Sequence, residues 1–255
     1  MEKNTNKTAL VTGGSRGLGR DMAIQLARKG FDVIITYHSN QEAAARVIEE
    51  VKSVGRMAVA FRLDVSKTAD FDGFINEVKE CLLHDFGTDH IHSLVNNAGT
   101  GLYAPFESTT EAQFDDMVNT HLKSAFFLTQ KMLPVLSDGG SIVNISSGLA
   151  RFSSSNYSAY AIMKAAIESL TRYQALELGS RKIRVNTVAP GAIETDFAGG
   201  FVRDNKDLNN YLASATALGR VGVPDDIGSV VAFLCSDEAK WVNAQRIEVS
   251  GGFHI

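Results

Sequence analysis

The chain has 255 residues, 44% of them hydrophobic and 21% charged, with a formal net charge of −4. That balance suits a globular protein with a large core and lacks the basic excess that nucleic-acid binding demands. The opening stretch, Met1 to Lys7, has no apolar run behind its charges, and nothing later approaches about 20 consecutive apolar residues, so neither leader peptide nor membrane span is expected and the cytoplasm is the expected location.

In chain order, apolar β-branched runs alternate with segments whose apolar residues recur every three or four positions. Strands are expected at 8–12, 32–37, 58–63, 93–96, 141–146, 184–189 and 246–249, and helices at 16–29, 41–54, 71–86, 111–136, 157–178 and 225–235. The alternation predicts a single α/β domain over 1–255 with a Rossmann fold: a seven-stranded, mostly parallel, doubly wound sheet with helices on both faces. Residues 194–219 break the pattern, being longer than an ordinary connection and carrying Phe197, Phe201 and Tyr211; a substrate lid is expected there. Cys81 and Cys235 are isolated, with no CxxC pair and no adjacent His, which predicts two small buried or semi-buried thiols and no metal site.

The first strand runs into Thr12-Gly-Gly-Ser-Arg-Gly-Leu-Gly19. Glycines 13, 14, 17 and 19 let the backbone turn sharply and bring amides at a helix N-terminus to a phosphate. Their spacing is not G-x-G-x-x-G, so on its own the turn predicts a nucleotide phosphate and no more. The second strand ends Thr36-Tyr37-His38-Ser39-Asn40, without the carboxylate that would bind a ribose 2′-hydroxyl and repel a 2′-phosphate. Arg16 carries a guanidinium suited to that phosphate, so NADP(H) is the expected cofactor. His38 and Ser39 add hydrogen-bonding groups, and Asn40 suits either that role or a helix N-cap.

Further along, Gly140-Ser-Ile-Val-Asn-Ile-Ser-Ser147 predicts a buried strand ending in two hydroxyls, followed by Tyr160-Ala-Ile-Met-Lys164 on a helix. A tyrosine and a lysine four apart share a helix face, which places an ammonium near a phenol whose ordinary pKa of ~10 is high for acid/base work.

Together with Asn96-Asn-Ala-Gly99 and Pro190-Gly191, these motifs resemble the classical short-chain dehydrogenase/reductase family over almost the whole chain. The resemblance implies that Tyr160 gives or takes the substrate proton, Ser147 hydrogen-bonds the carbonyl oxygen, and Lys164 holds the ribose and depresses the tyrosine pKa. It implies cofactor contacts from Gly13, Ser15, Arg16, Gly17, Leu18 and Gly19; from Tyr37, His38 and Ser39; from Asp64 and Val65 at the adenine; from Asn97, Ala98 and Gly99; and from Pro190, Gly191, Ile193 and Thr195 at the nicotinamide, besides Tyr160 and Lys164. His121 falls where the family has a catalytic asparagine, and Asn119 cannot stand in, because residues two apart on a helix point away from each other. Such an imidazole is expected to be neutral near Lys164, acting either as a proton relay or as a plain structural residue. Ser250 replaces the Asp of many relatives.

Within the family the chain is most similar to 3-oxoacyl-carrier-protein reductases and related carbonyl reductases. That similarity implies a small-molecule carbonyl or acyl-carrier-bound substrate and a homotetramer built on the helices at 111–136 and 157–178. Two alternatives stand beside it: an enoyl reductase using Tyr157, seven residues before Lys164, and an NADP(H)-binding sensor or scaffold without chemistry.

Overall fold

The computed structural model describes residues 7–255; the rest of the opening stretch, residues 1–6, lies outside the described residues. The strands are β1 (Thr8–Val11), β2 (Asp32–Tyr37), β3 (Ala58–Arg62), β4 (Ile91–Asn96), β5 (Leu136–Ile145), β6 (Arg184–Pro190) and β7 (Arg246–Val249). They form one sheet in the order β3-β2-β1-β4-β5-β6-β7. Every pairing is parallel, a stricter result than the mostly parallel sheet expected. Alternation along the strands divides the core. Ala9, Val11, Val33 and Ile35 face α1 (Gly17–Arg28), α2 (Gln41–Ser53) and α9 (Pro224–Cys235), while Leu10, Ile34 and Leu94 face the side of α3 (Phe71–His84). Burial on both faces explains why the middles of β1 and β2, Ala9 to Val11 and Val33 to Ile35, are apolar runs.

Strand order reverses between β1 and β4, and the crevice outside their carboxyl ends is where an open sheet of this kind binds ligands. The connections that follow β1, β4, β5 and β6 therefore meet at one edge.

The expected helix over 111–136 is not a single α-helix. It consists of α4 (Glu111–Met117), a π-helical turn (Val118–Lys123), α5 (Ser124–Met132) and a 3-10 turn (Leu133–Val135) containing Pro134. Leu136 already belongs to β5, paired with Ile91, and a register shift between Ile91 and Ser93 makes that strand longer than expected. The segment 194–219 is structured: a 3-10 turn (Phe197–Gly200), the short α7 (Phe201–Asp204) and α8 (Lys206–Ser214), capped by Asn205 on the Leu208 amide. The remaining helix, α6 (Ser158–Glu177), carries Tyr160 and Lys164. Among the described residues no helix is long and apolar enough to cross a membrane, and no group of three His, Cys, Asp or Glu side chains could hold a metal ion. Both cysteines are buried and free.

Candidate active site

The turn after β1 is held from two sides. The Gly13 amide donates to Thr36 Oγ1 (3.1 Å) and the Gly14 amide to the Thr36 carbonyl (2.8 Å), so β2 fixes its first half. Thr12 Oγ1 accepts from the amides of Asn97 and Ala98 (3.0 Å each), and Asn97 Nδ2 donates to the Thr12 carbonyl (2.8 Å). The Asn97 side chain is thus a buttress for the glycine turn. A Cβ on Gly19 would fall 2.2 Å from the Gly13 carbonyl oxygen, so only glycine permits this approach. Gly17 has φ +52, and a Cβ there would meet nothing closer than Thr195 at 3.6 Å. The turn and the 190–195 connection therefore face each other across a gap.

No side chain caps α1, whose first turn carries no acidic residue. Its leading amides, around Ser15 to Gly19, match an anionic phosphate in chemistry, and the glycine cradle admits one. On the opposite wall Gly191 donates to the Val249 carbonyl (3.0 Å), Ile193 bridges to Gly222, and Thr195 Oγ1 accepts from the Phe197 amide (3.1 Å). These residues fit a dinucleotide.

At the end of β2, Asn40 serves as the N-cap of α2, accepting from the Ala43 amide at 2.9 Å. Burial alone would raise the Asp64 pKa, yet hydrogen bonds from the Ser66 hydroxyl and amide, with His38 and Lys67 nearby, hold it below the usual carboxylate range. Arg16 is exposed and makes no ion pair among the described residues. A second guanidinium, unforeseen from the sequence, lies close by: Arg62 is paired in register with Tyr37 and donates to the His38 carbonyl (3.2 Å). Strand pairing brings it there, and the only signal for it was the basic end of β3.

Past the end of β5, Tyr160 is 7% exposed and lies near Ser147, whose Oγ accepts from the Leu149 amide at 3.2 Å. Lys164 Nζ donates to the Ile145 carbonyl (2.8 Å) and lies 5.5 Å from the centroid of the Tyr160 ring. Burial raises the phenol pKa, Ser147 lowers it and Tyr157 raises it, while the Lys164 ammonium sits over the ring. Burial in turn pushes Lys164 down to about 8. The phenol is accordingly a proton donor in this state.

His121 is buried in the π-helical turn, edge to face with Tyr160 at 5.3 Å, whereas Asn119 is not buried. Its Nε2 lies 2.8 Å from the Thr100 carbonyl oxygen, to which it must donate, so Nδ1 carries the lone pair; that atom is buried and unpartnered. Burial first, then the Lys164 charge, push its pKa down to about 3, against the Thr100 bond that raises it. A small cavity of about 10 Å³ lies among Thr12, Val65, Asn96, Ala98, His121 and Lys164. Tyr157 occupies the N-cap position of α6 without a side-chain capping bond, edge to face with Tyr103 at 5.2 Å. Phe197 of the 194–219 segment faces Tyr160 at 5.9 Å and rests on Gly101, where a Cβ would meet its ring at 3.1 Å.

A parallel doubly wound sheet with a phosphate-type turn at its switch point, facing buried Tyr160 and Lys164 beside half-buried Ser147, defines a dinucleotide-dependent oxidoreductase. The family model described as enoyl-(acyl carrier protein) reductase matches residues 13–254. The hydroxynaphthalene reductase-like protein Arp2 of Metarhizium brunneum is 38% identical over 96% of this chain and 94% of its own length. The 3-oxoacyl-[acyl-carrier-protein] reductase FabG of Staphylococcus epidermidis is 36% identical over 98% of this chain and 100% of its own. Among solved structures, the angucycline C-6 ketoreductase LanV with bound NADP superposes with a TM-score of 0.93 at 36% identity, covering 98% of this chain and 96% of that one. The chain belongs to the short-chain dehydrogenase/reductase family and is an oxidoreductase of it.

Proposed function

We propose that this protein uses NADPH to reduce a ketone to an alcohol, with Tyr160 as the proton donor. The observation that carries this reading is the buried Tyr160 side chain next to Ser147, with the Lys164 ammonium 5.5 Å from its ring. When bound, NADPH supplies the hydride. As negative charge grows on the carbonyl oxygen, the Ser147 and Tyr160 hydroxyls donate hydrogen bonds to it, and Tyr160 transfers its proton. The Lys164 ammonium offsets the charge left on the phenolate. NADPH over NADH is supported by the absence of a carboxylate at the end of β2 and by Arg16 and Arg62 beside that end. The Gly-rich turn, the 97–99 connection and the 190–195 loop would hold the dinucleotide.

For the substrate, the mouth over Tyr160 supports a flat ring ketone. Phe197, Tyr103 and Tyr157 wall it with aromatic faces and edges, and Phe201 lies exposed on the same segment. Relatives named for hydroxynaphthalene reduction, and the LanV structure described with NADP and rabelomycin, support the same class. The FabG relative supports a 3-oxoacyl chain on a carrier as the competing substrate. The enoyl reading would require Tyr157, which stands outside the Ser147, Lys164 and His121 group. Segment 194–219 acts as the lid. A homotetramer is supported by exposed Phe114, Phe126 and Phe127 on α4 and α5 and by Ile162, Tyr173 and Leu176 on α6, a set too apolar to leave in water.

The test is NADPH oxidation with 1-tetralone, an acetoacetyl thioester and a crotonyl thioester in parallel. Turnover is expected with the ketones, fastest with 1-tetralone; oxidation with the crotonyl thioester alone would overturn the assignment.

A further inference from the structure

Behind the catalytic serine runs a chain of four alternating charges that the reaction itself does not use. Glu168 stands one helical turn beyond Lys164 on α6, on the same face. Its Oε1 accepts from Ser146 Oγ (2.7 Å) and from Arg246 Nε (2.6 Å). Arg246 on β7 also donates to Glu248 Oε2 (3.1 Å), and its remaining nitrogen lies 3.5 Å from the Ser147 carbonyl oxygen. Glu248 in turn binds Arg151, from the turn after Ser147, at 2.8 Å. Arg151 finally donates to the carbonyls of His254 (3.0 Å) and Phe253 (3.1 Å), while Phe152 packs edge to face on both rings.

This chain grips every flank of Ser147. Ser146 before it is pinned by Glu168, its own carbonyl faces Arg246, and the turn after it is tied to β7 and to residues 253–254. The side chain of Glu168 is 15% exposed and that of Arg246 23%, so the inner pair is shielded and its geometry restrictive. We propose that Glu168, Arg246, Glu248 and Arg151 are positioning residues that hold Ser147 where its hydroxyl meets the carbonyl oxygen, with Phe253 and His254 as the anchor. The proposal rests on the assignment of Ser147 to the substrate oxygen. A hydroxyl that must meet a developing charge loses effect when it is displaced by about 1 Å, which is the sensitivity such a support would serve.

The experiment is a double-mutant cycle read by single-turnover NADPH oxidation with 1-tetralone, alongside the NADPH dissociation constant. Arg246→Met should lower the rate ~10-fold with cofactor affinity unchanged, and Arg246→Lys, which keeps the charge, should recover part of it. In a Ser147→Ala background the same Arg246→Met change should cost less than ~2-fold, because the group it positions is gone. Arg151→Met, further from the core, should lower the rate ~3-fold and likewise lose its effect without Ser147, which keeps the test decisive should Arg246→Met fail to fold. Equal losses in both backgrounds would mean general destabilisation and overturn the proposal. Full activity of Ser147→Ala alone would overturn the assignment beneath it.

Discussion

Replacing His121 by asparagine should flatten the pH dependence of stability. In the unfolded chain a histidine titrates near ~6.5, whereas burial and Lys164 push this imidazole down to about 3. Between those values the unfolded state binds a proton that the folded state refuses, so the contribution of His121 to stability is complete above the upper value and is lost as pH falls toward the lower one. At 1.36 kcal/mol per unit, the loss by about pH 5 relative to about pH 8 is about 2 kcal/mol. His92, pushed down to about 4 by burial, adds a similar slope, but it is present in both proteins and cancels in the comparison. Urea denaturation of the unmodified protein and His121→Asn, at one protein concentration and both pH values, measures the difference. A pH-dependent loss equal in the two proteins would refute the reasoning.

The same variant decides whether the imidazole moves protons. A relay must pass a proton on, yet Nε2–H ends on the Thr100 carbonyl, which has no proton to exchange. The profiles of kcat against pH should therefore superimpose between about pH 5.5 and 8, and a shifted acid limb in His121→Asn would restore the relay.

Tyr160→Phe should cut turnover by ~10²- to 10⁴-fold with NADPH affinity intact, while Tyr157→Phe is mild; the reverse pattern in steady-state kinetics would transfer the site to the enoyl-reductase spacing. Arg16→Ala should weaken NADPH ~10- to 100-fold and NADH little, read by fluorescence titration, and equal affinities in the unmodified protein would sink the preference. Gly73→Ala should stabilise by about 0.5–1 kcal/mol, because α3 has open space there, and an unchanged or lower Tm would contradict it. Light scattering at micromolar concentration should return four copies, and a monomer would remove the assembly.

The parts of this fold most legible in the sequence are those that burial dictates alone. The central residues of β1 and β2, Ala9 to Val11 and Val33 to Ile35, are apolar on both faces and could be little else. The helix over 111–136 was legible as apolar spacing but not as geometry: α-, π- and 3-10 turns all return a residue to the core every three to five positions, so a break at His121 leaves the pattern nearly continuous. The start of β5 was hidden because Asp138-Gly-Gly140 has the composition of a turn and falls in the register shift, with β4 pairing only at Leu136 before it and from Ser141 after it. Arg62 was illegible for the same kind of reason, since its nearness to Tyr37 exists only through pairing.

The motifs were legible as chemistry and less so as mechanics. Asn97 belongs to a cofactor motif, yet its side chain is spent on Thr12. Gly99 has a further reason to lack a side chain, since a Cβ there would fall 2.6 Å from His121 Cε1. A histidine at position 121 and a glycine at position 99 are therefore one packing solution: the ring fills the space the glycine leaves, reaches the next carbonyl, and presents its edge to Tyr160. An asparagine at 121 would be smaller and could make the same kind of bond, so the exchange alters the volume beside Tyr160 more than the hydrogen-bonding logic. That is why the effect expected of His121 lies in folding and its pH dependence, and why the proton transfer is proposed for Tyr160 alone.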